Sequence, residues 1–157
     1  DENDDIVYME VVNVPGKDSI ELAKRAVFHL DRMEQTTVLE NATPAEGQAK
    51  DQFIAGKKQL LTNIEFTVVV EVKKGRYRIQ VKDIEYTPAP TPKTPQPITL
   101  DADDQYQEYR TLWASGKGGS RRARFLKPYF FSTDRIIKDY IESLKLKMLE
   151  PAVENDW

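Results

Sequence analysis

Between Ile64 and Val81 the chain alternates apolar and polar residues and reverses once: Ile64, Phe66, Val68, Val70 and Val72 share one parity, Lys74-Gly75 interrupts, and Tyr77, Ile79 and Val81 return it. Period two marks a strand with one buried face, and glycine in a two-residue loop accepts the positive φ of a tight hairpin turn. The chain is thereby restricted to folds built on an antiparallel hairpin. A loop at 74 and 75 sets Val72 opposite Tyr77, Val70 opposite Ile79 and Val68 opposite Val81, with the opposite-charge pair Glu71 and Arg78 on the other face. Continued unchanged, that register would place Phe66 against Asp83, a carboxylate in the core. One extra residue near Lys82-Asp83 sets Phe66 against Ile84 and Ile64 against Tyr86, so the sequence predicts a β-bulge there.

The other elements are arranged around this hairpin. Ile6 to Val14 is rich in Val, Ile, Tyr and Met and stops at Pro15-Gly16, which predicts a strand. Asp18-Ser19-Ile20-Glu21 resembles a capping box, and Ile20, Leu22, Ala23, Ala26, Val27, Leu30 and Met33 predict one buried helical face after it. Thr36 to Glu40 is a short β-branched run, Asn41 to Gly47 is turn-rich, and Gln48 to Leu61 is a polar strand candidate interrupted by Gly56. Prolines 88, 90, 92, 95 and 97 predict an extended segment. An irregular excursion to about Thr133 is expected next, with a helical turn between Asp101 and Trp113. Ile136, Ile137, Tyr140, Ile141, Leu144 and Met148 then form a helical stripe ended by Pro151. The expectation is one α+β domain over 1–157: an antiparallel sheet of four or five strands with two long helices on one face, its core at 6–86 and 133–150, and a proline-rich, basic and aromatic excursion at 87–132.

Composition narrows the chemistry. The 157 residues include no cysteine, which removes thiol nucleophiles, disulfides and cysteine metal sites. A net charge of −3 provides no general field for nucleic acid. His29 is the sole histidine and has no recognisable nucleophile motif beside it, which favours a structural role over catalysis. Asp1, Asn3 and Asp5 follow the opening spacing of a calcium loop, but Ile6 stands where its glycine belongs; Asp101, Asp103 and Asp104 also lack that glycine. Gly116 to Ser120 departs from the phosphate-loop pattern because Lys117 precedes Gly118. No catalytic residue, metal site or cofactor is predicted.

One span is chemically unusual. Between Tyr109 and Thr133 lie Arg110, Lys117, Arg121, Arg122, Arg124 and Lys127 with no acid, so the span carries +6 and the remainder −9. Phe125, Tyr129, Phe130 and Phe131 are interleaved or adjacent. Arginine beside aromatics can grip phosphate or sulfate, stack on bases or seat a carboxylate. The favoured reading has the aromatics anchoring the excursion while the arginines are solvated or pair with Asp101, Asp103, Asp104 and Glu108. The functional reading makes Arg110, Lys117, Arg121, Arg122, Arg124, Lys127, Phe125 and Tyr129 a site for an acidic protein or glycan, ahead of nucleic acid.

Val11-Val12-Asn13-Val14-Pro15-Gly16, Glu21-Leu22-Ala23-Lys24-Arg25-Ala26, Ile54-Ala55-Gly56-Lys57 and Val72 to Arg78 resemble the motifs of a domain-of-unknown-function family described with a TATA-binding-protein-like fold in exported proteins of Bacteroidetes. The resemblance covers residues 6–86 and the last helix. It implies that fold and an exported setting, periplasmic or associated with the cell envelope, with a signal or lipid anchor expected upstream of Asp1; it carries over no functional residue. A non-catalytic binding or structural module is therefore the expectation. A hydrolase-like enzyme with sequence-distant carboxylates and an anion or nucleic-acid binder acting through the basic 110–127 loop are the alternatives.

Overall fold

A computed structural model describes residues 5–56 and 59–153. Asp1 and Asn3 of the calcium-like spacing, and Lys57 of the motif beginning at Ile54, lie outside the described residues. The elements run β1 (Tyr8–Asn13), α1 (Ser19–Asp31), β2 (Thr36–Val38), β3 (Ala45–Ala55), β4 (Leu60–Lys73), β5 (Arg76–Pro88), β6 (Leu100–Asp101), α2 (Ala102–Ala114) and α3 (Arg121–Met148). The sheet is antiparallel in the order β1-β5-β4-β3-β2, and β6 adds to β5 beyond the end of β1. The described residues thus form six strands, one more than the upper expectation.

The hairpin has the register that its alternation demands. Val72 faces Tyr77, Val70 faces Ile79 and Val68 faces Val81, while Glu71 meets Arg78 and their side chains bond at 2.5 Å. The register then shifts by one residue, so that Ile64 lies opposite Tyr86, and Asp83 takes a φ of +53° at the break. This is the expected bulge, and it keeps Ile84 and Tyr86 in the core.

Where the sequence showed a polar strand across Gly56, there is a hairpin. β3 begins at Ala45, inside the run read as turn, and β4 begins at Leu60. Its inward residues at Ala45, Gly47 and Ala49 are too small to register as an apolar alternation, yet all three are buried. Smallness has a packing reason at Gly47, where an added Cβ would lie 3.1 Å from Thr36 Cγ2 and 3.4 Å from Leu30 Cδ2. Leu22, Ala26 and Leu30 of α1 join Val68, Val70 and Ile79 in one core together with Ile137, Ile141 and Leu144 of α3. Ile20 and Val27, expected on the buried face of α1, are exposed, and Arg25 and His29 are buried instead.

The irregular excursion is corrected to two helices. α2 is capped by Asp101, whose carboxylate accepts the N–H groups of Asp103 at 2.8 Å and Asp104 at 3.2 Å. The glycine-rich run forms the turn between α2 and α3: Lys117 N bonds Leu112 O at 2.7 Å, Gly118 lies under the Trp113 ring, and Ser120 caps α3. α3 continues without a break from Arg121 through Pro128 to the predicted apolar stripe. Pro128 and a basic first turn hid its N-terminal half, because proline is a helix breaker and cations oppose the dipole there. The proline segment is not uniformly extended: Thr91 and Thr94 bond reciprocally at 3.0 Å across Pro92-Lys93.

Candidate anion-binding groove

The first two turns of α3 place Arg121, Arg124, Phe125 and Pro128 on one face, following the i, i+3, i+4, i+7 rule. That face looks onto the end of the β3–β4 hairpin. The two form an open groove of about 820 Å³ lined by Ile54, Gly56, Gln59 and Leu60 from the hairpin and by Arg121, Arg124, Phe125, Pro128 and Tyr129 from the helix. Phe125 is 40% exposed, so the groove presents apolar surface beside the two arginines, while the 58% exposed Ile54 side chain lies at its rim on the other face of the strand.

The six predicted cations do not act together. Arg122 turns toward α2 and grips Glu108 through both carboxylate oxygens, at 2.6 and 3.0 Å, with Gln105 at 3.4 Å. That bidentate bond holds the Glu108 carboxyl below its ordinary range. Lys127 lies over the Phe131 ring, Arg110 is near the Tyr106 ring on α2, and Lys117 sits in the interhelical turn. Only Arg121 and Arg124 reach the groove, and neither has a carboxylate partner among the described residues. The sequence grouped all six cations in one site; helical geometry turns Arg122 to α2, with its guanidinium 5.2 Å from the centre of the Phe125 ring.

The aromatic residues also divide. Tyr129 is buried and meets Phe53 and Tyr86 edge to face at 5.4 and 5.2 Å, so it is chiefly a core residue with one side on the groove. Burial pushes its hydroxyl pKa up. Phe130 packs against Tyr106 and Tyr109 of α2, as an anchor should. Phe131, also expected to anchor, is 66% exposed. Ile54, Gly56 and Leu60 were not predicted as site residues. The available signal was Ile54 itself, a large apolar side chain on the solvent parity of a strand.

The remaining candidates have structural partners. His29 is buried, and its Nε2–H donates to Glu150 O at 2.8 Å; the imidazole must donate because a carbonyl only accepts. The described residues contain no group of three His, Cys, Asp or Glu suited to a metal ion. On the sheet face opposite the helices, Arg78 pairs with Glu71 and Lys50 with Glu65. A larger open depression of about 1020 Å³ beside α1 is lined by both signs of charge, Lys24 and Arg32 with Asp31 and Glu40. No described helix is long and apolar enough to cross a membrane.

One antiparallel sheet with three helices makes this a mixed α+β fold. Among solved structures, the chain is similar to a DUF4468 family protein from Bacteroides ovatus, with a TM-score of 0.68 and 11% identity over 97% of this chain and 91% of that one. It is also similar to a TBP-like protein from Parabacteroides distasonis, with a TM-score of 0.61 and 15% identity over 91% of this chain and 94% of that one. No family model and no curated protein matches the chain. The expected likeness to a domain of unknown function with a TBP-like fold therefore holds at the level of fold. At these identities no site residue is transferred.

Proposed function

We propose that the protein is a non-catalytic binding module of the cell envelope that holds an anionic partner, an acidic protein segment or an acidic glycan, in the groove between α3 and the β3–β4 hairpin. One observation carries this reading: Arg121 and Arg124 lack carboxylate partners among the described residues and line the groove with half-exposed Phe125, whereas Arg122 between them is neutralised by Glu108. A guanidinium pair on an apolar floor suits a ligand that brings carboxylate or sulfate oxygens together with apolar surface. The non-catalytic reading is supported by His29, whose Nε2 proton serves a helix-end carbonyl. The envelope setting rests on the motif resemblance alone. It is tested by the unprocessed gene product: a start codon directly before Asp1 overturns it.

The groove is tested by fluorescence anisotropy with labelled polyglutamate, a sulfated glycan and single-stranded DNA at low and high salt. Arg121→Gln/Arg124→Gln should lose anion binding, and Arg122→Gln should retain it while lowering thermal stability. Binding by the wild type should also fall with salt. Equal binding by the double variant and the wild type overturns the reading, and selective retention of DNA transfers it to nucleic acid.

A further inference from the structure

β2 pairs with β3 only at Gly47, Gln48 and Ala49, although β3 continues to Ala55. Hydrogen bonds settle which main-chain groups face that side. Leu39 N donates to Glu46 O at 2.9 Å and Lys50 N donates to Gln35 O at 3.1 Å, so even-numbered residues of β3 point toward β2 and odd-numbered residues toward β4. Gln52 and Ile54 consequently turn their N–H and C=O groups to an edge along which no strand lies among the described residues. The Gln52 N–H is taken up by the Asp51 carboxylate at 2.7 Å. The N–H of Ile54 has no such cover, and an open edge of this kind is a template for another strand.

Two depressions flank the edge on the helix side. One is the groove of Arg121, Arg124 and Phe125. The other, about 450 Å³, lies between Lys50, Asp51 and Gln52 of β3 and Arg135, Asp139 and Ser143 of α3. A strand added beside Gln52 and Ile54 would direct alternate side chains toward α3 and the others onto the open sheet face beside Ile54. The first set meets Arg121 and Arg124 toward the hairpin end and the mixed charges of Arg135, Asp51 and Asp139 at the other; the second meets the exposed side chain of Ile54.

We propose that an extended acidic peptide binds as an added antiparallel strand on the outer edge of β3 at Gln52 to Ile54, continuing the line of β2, with carboxylates on Arg121 and Arg124 and apolar side chains over Ile54. This rests on the groove reading above and selects its peptide arm, because a peptide supplies main-chain donors and acceptors at the spacing of the edge and a glycan does not.

The test uses the full chain and a synthetic peptide of alternating Glu and Val, in three forms: unmodified, N-methylated at every Val, and N-methylated at every Glu. In the proposed pairing the Val amides face β3. The unmodified and Glu-methylated peptides should bind, Val methylation should abolish binding, and amide exchange at Ile54 should slow when peptide is present. Arg121→Gln/Arg124→Gln, checked for folding by circular dichroism, should bind about tenfold more weakly or worse. Arginine-dependent binding that tolerates Val methylation overturns strand addition and leaves the groove reading intact. Binding of the sulfated glycan without the peptide does the same. No binding of peptide, polyglutamate or glycan removes both readings.

Discussion

Asp83 has a φ of +53°, a left-handed conformation that costs a non-glycine residue on the order of 1 kcal/mol, and it does so at the residue where the hairpin changes register. Asp83→Gly should leave stability unchanged or raise it slightly, and Asp83→Val should lower it by about 1–2 kcal/mol in urea denaturation. Asp103 shows a different balance. Its carboxylate accepts the Ile6 N–H at 2.5 Å, yet burial raises its pKa against the lowering effect of that bond. A raised acid binds its proton more tightly in the folded state, so its contribution is full below the ordinary carboxylate range and is lost as pH rises through the folded value. Asp103→Asn keeps the acceptor and cannot ionise. Thermal melts should therefore place it at or above wild type at pH 7 and level with wild type at pH 3, with Asp103→Ala below both.

At the scale of elements, α1 caps the end of α3. The last carbonyls of a helix lack intrahelical donors, and here Arg25 donates to Met148 O at 3.1 Å and Leu149 O at 3.3 Å while His29 donates to Glu150 O. This explains why a cation and an imidazole occupy the inner face of α1. His29→Leu strips the Glu150 carbonyl of its donor and should lower unfolding free energy by about 1–3 kcal/mol, whereas His29→Gln should recover part of it. Pro128 acts in the opposite sense within α3. It has no N–H for the Arg124 carbonyl, so Pro128→Ala should raise thermal stability, by up to about 3 kcal/mol, while altering the wall of the groove.

For the whole molecule, tyrosines link the sheet to α3. Tyr86 bonds Thr133 at 2.5 Å, and because the Thr133 hydroxyl donates to Tyr129 O at 2.6 Å, Tyr86 is the donor between them. Tyr140 shares a hydrogen bond of 2.8 Å with Thr36 of β2. Burial is the leading cause that pushes both phenols up to about 12. The unfolded chain ionises near pH 10 and the folded chain resists, so stability falls as pH rises from 10 to 12, by about 1.4 kcal/mol per pH unit for each phenol. Alkaline denaturation followed by circular dichroism should show this slope, and Tyr86→Phe/Tyr140→Phe should flatten it.

Sequence alone determined the β4–β5 hairpin, its bulge, the capped start of α1 and the apolar stripe of α3, because each depends on neighbours within a few residues or directly across a short turn. It also located the basic and aromatic span, since charge is a property of the chain. Tertiary structure decided what was made from that span. Whether Pro128 breaks a helix depends on what the flanking turns bury, and Ala123, Leu126 and Tyr129 are buried against other parts of the molecule. β3 was obscure because Ala45, Gly47 and Ala49 carry too little apolar bulk to show an inward face. The separation of Arg121 and Arg124 from Arg122 follows from the angular spacing of a helix lying between α2 on one side and a hairpin tip far off in sequence on the other, and no local pattern encodes which side each guanidinium meets.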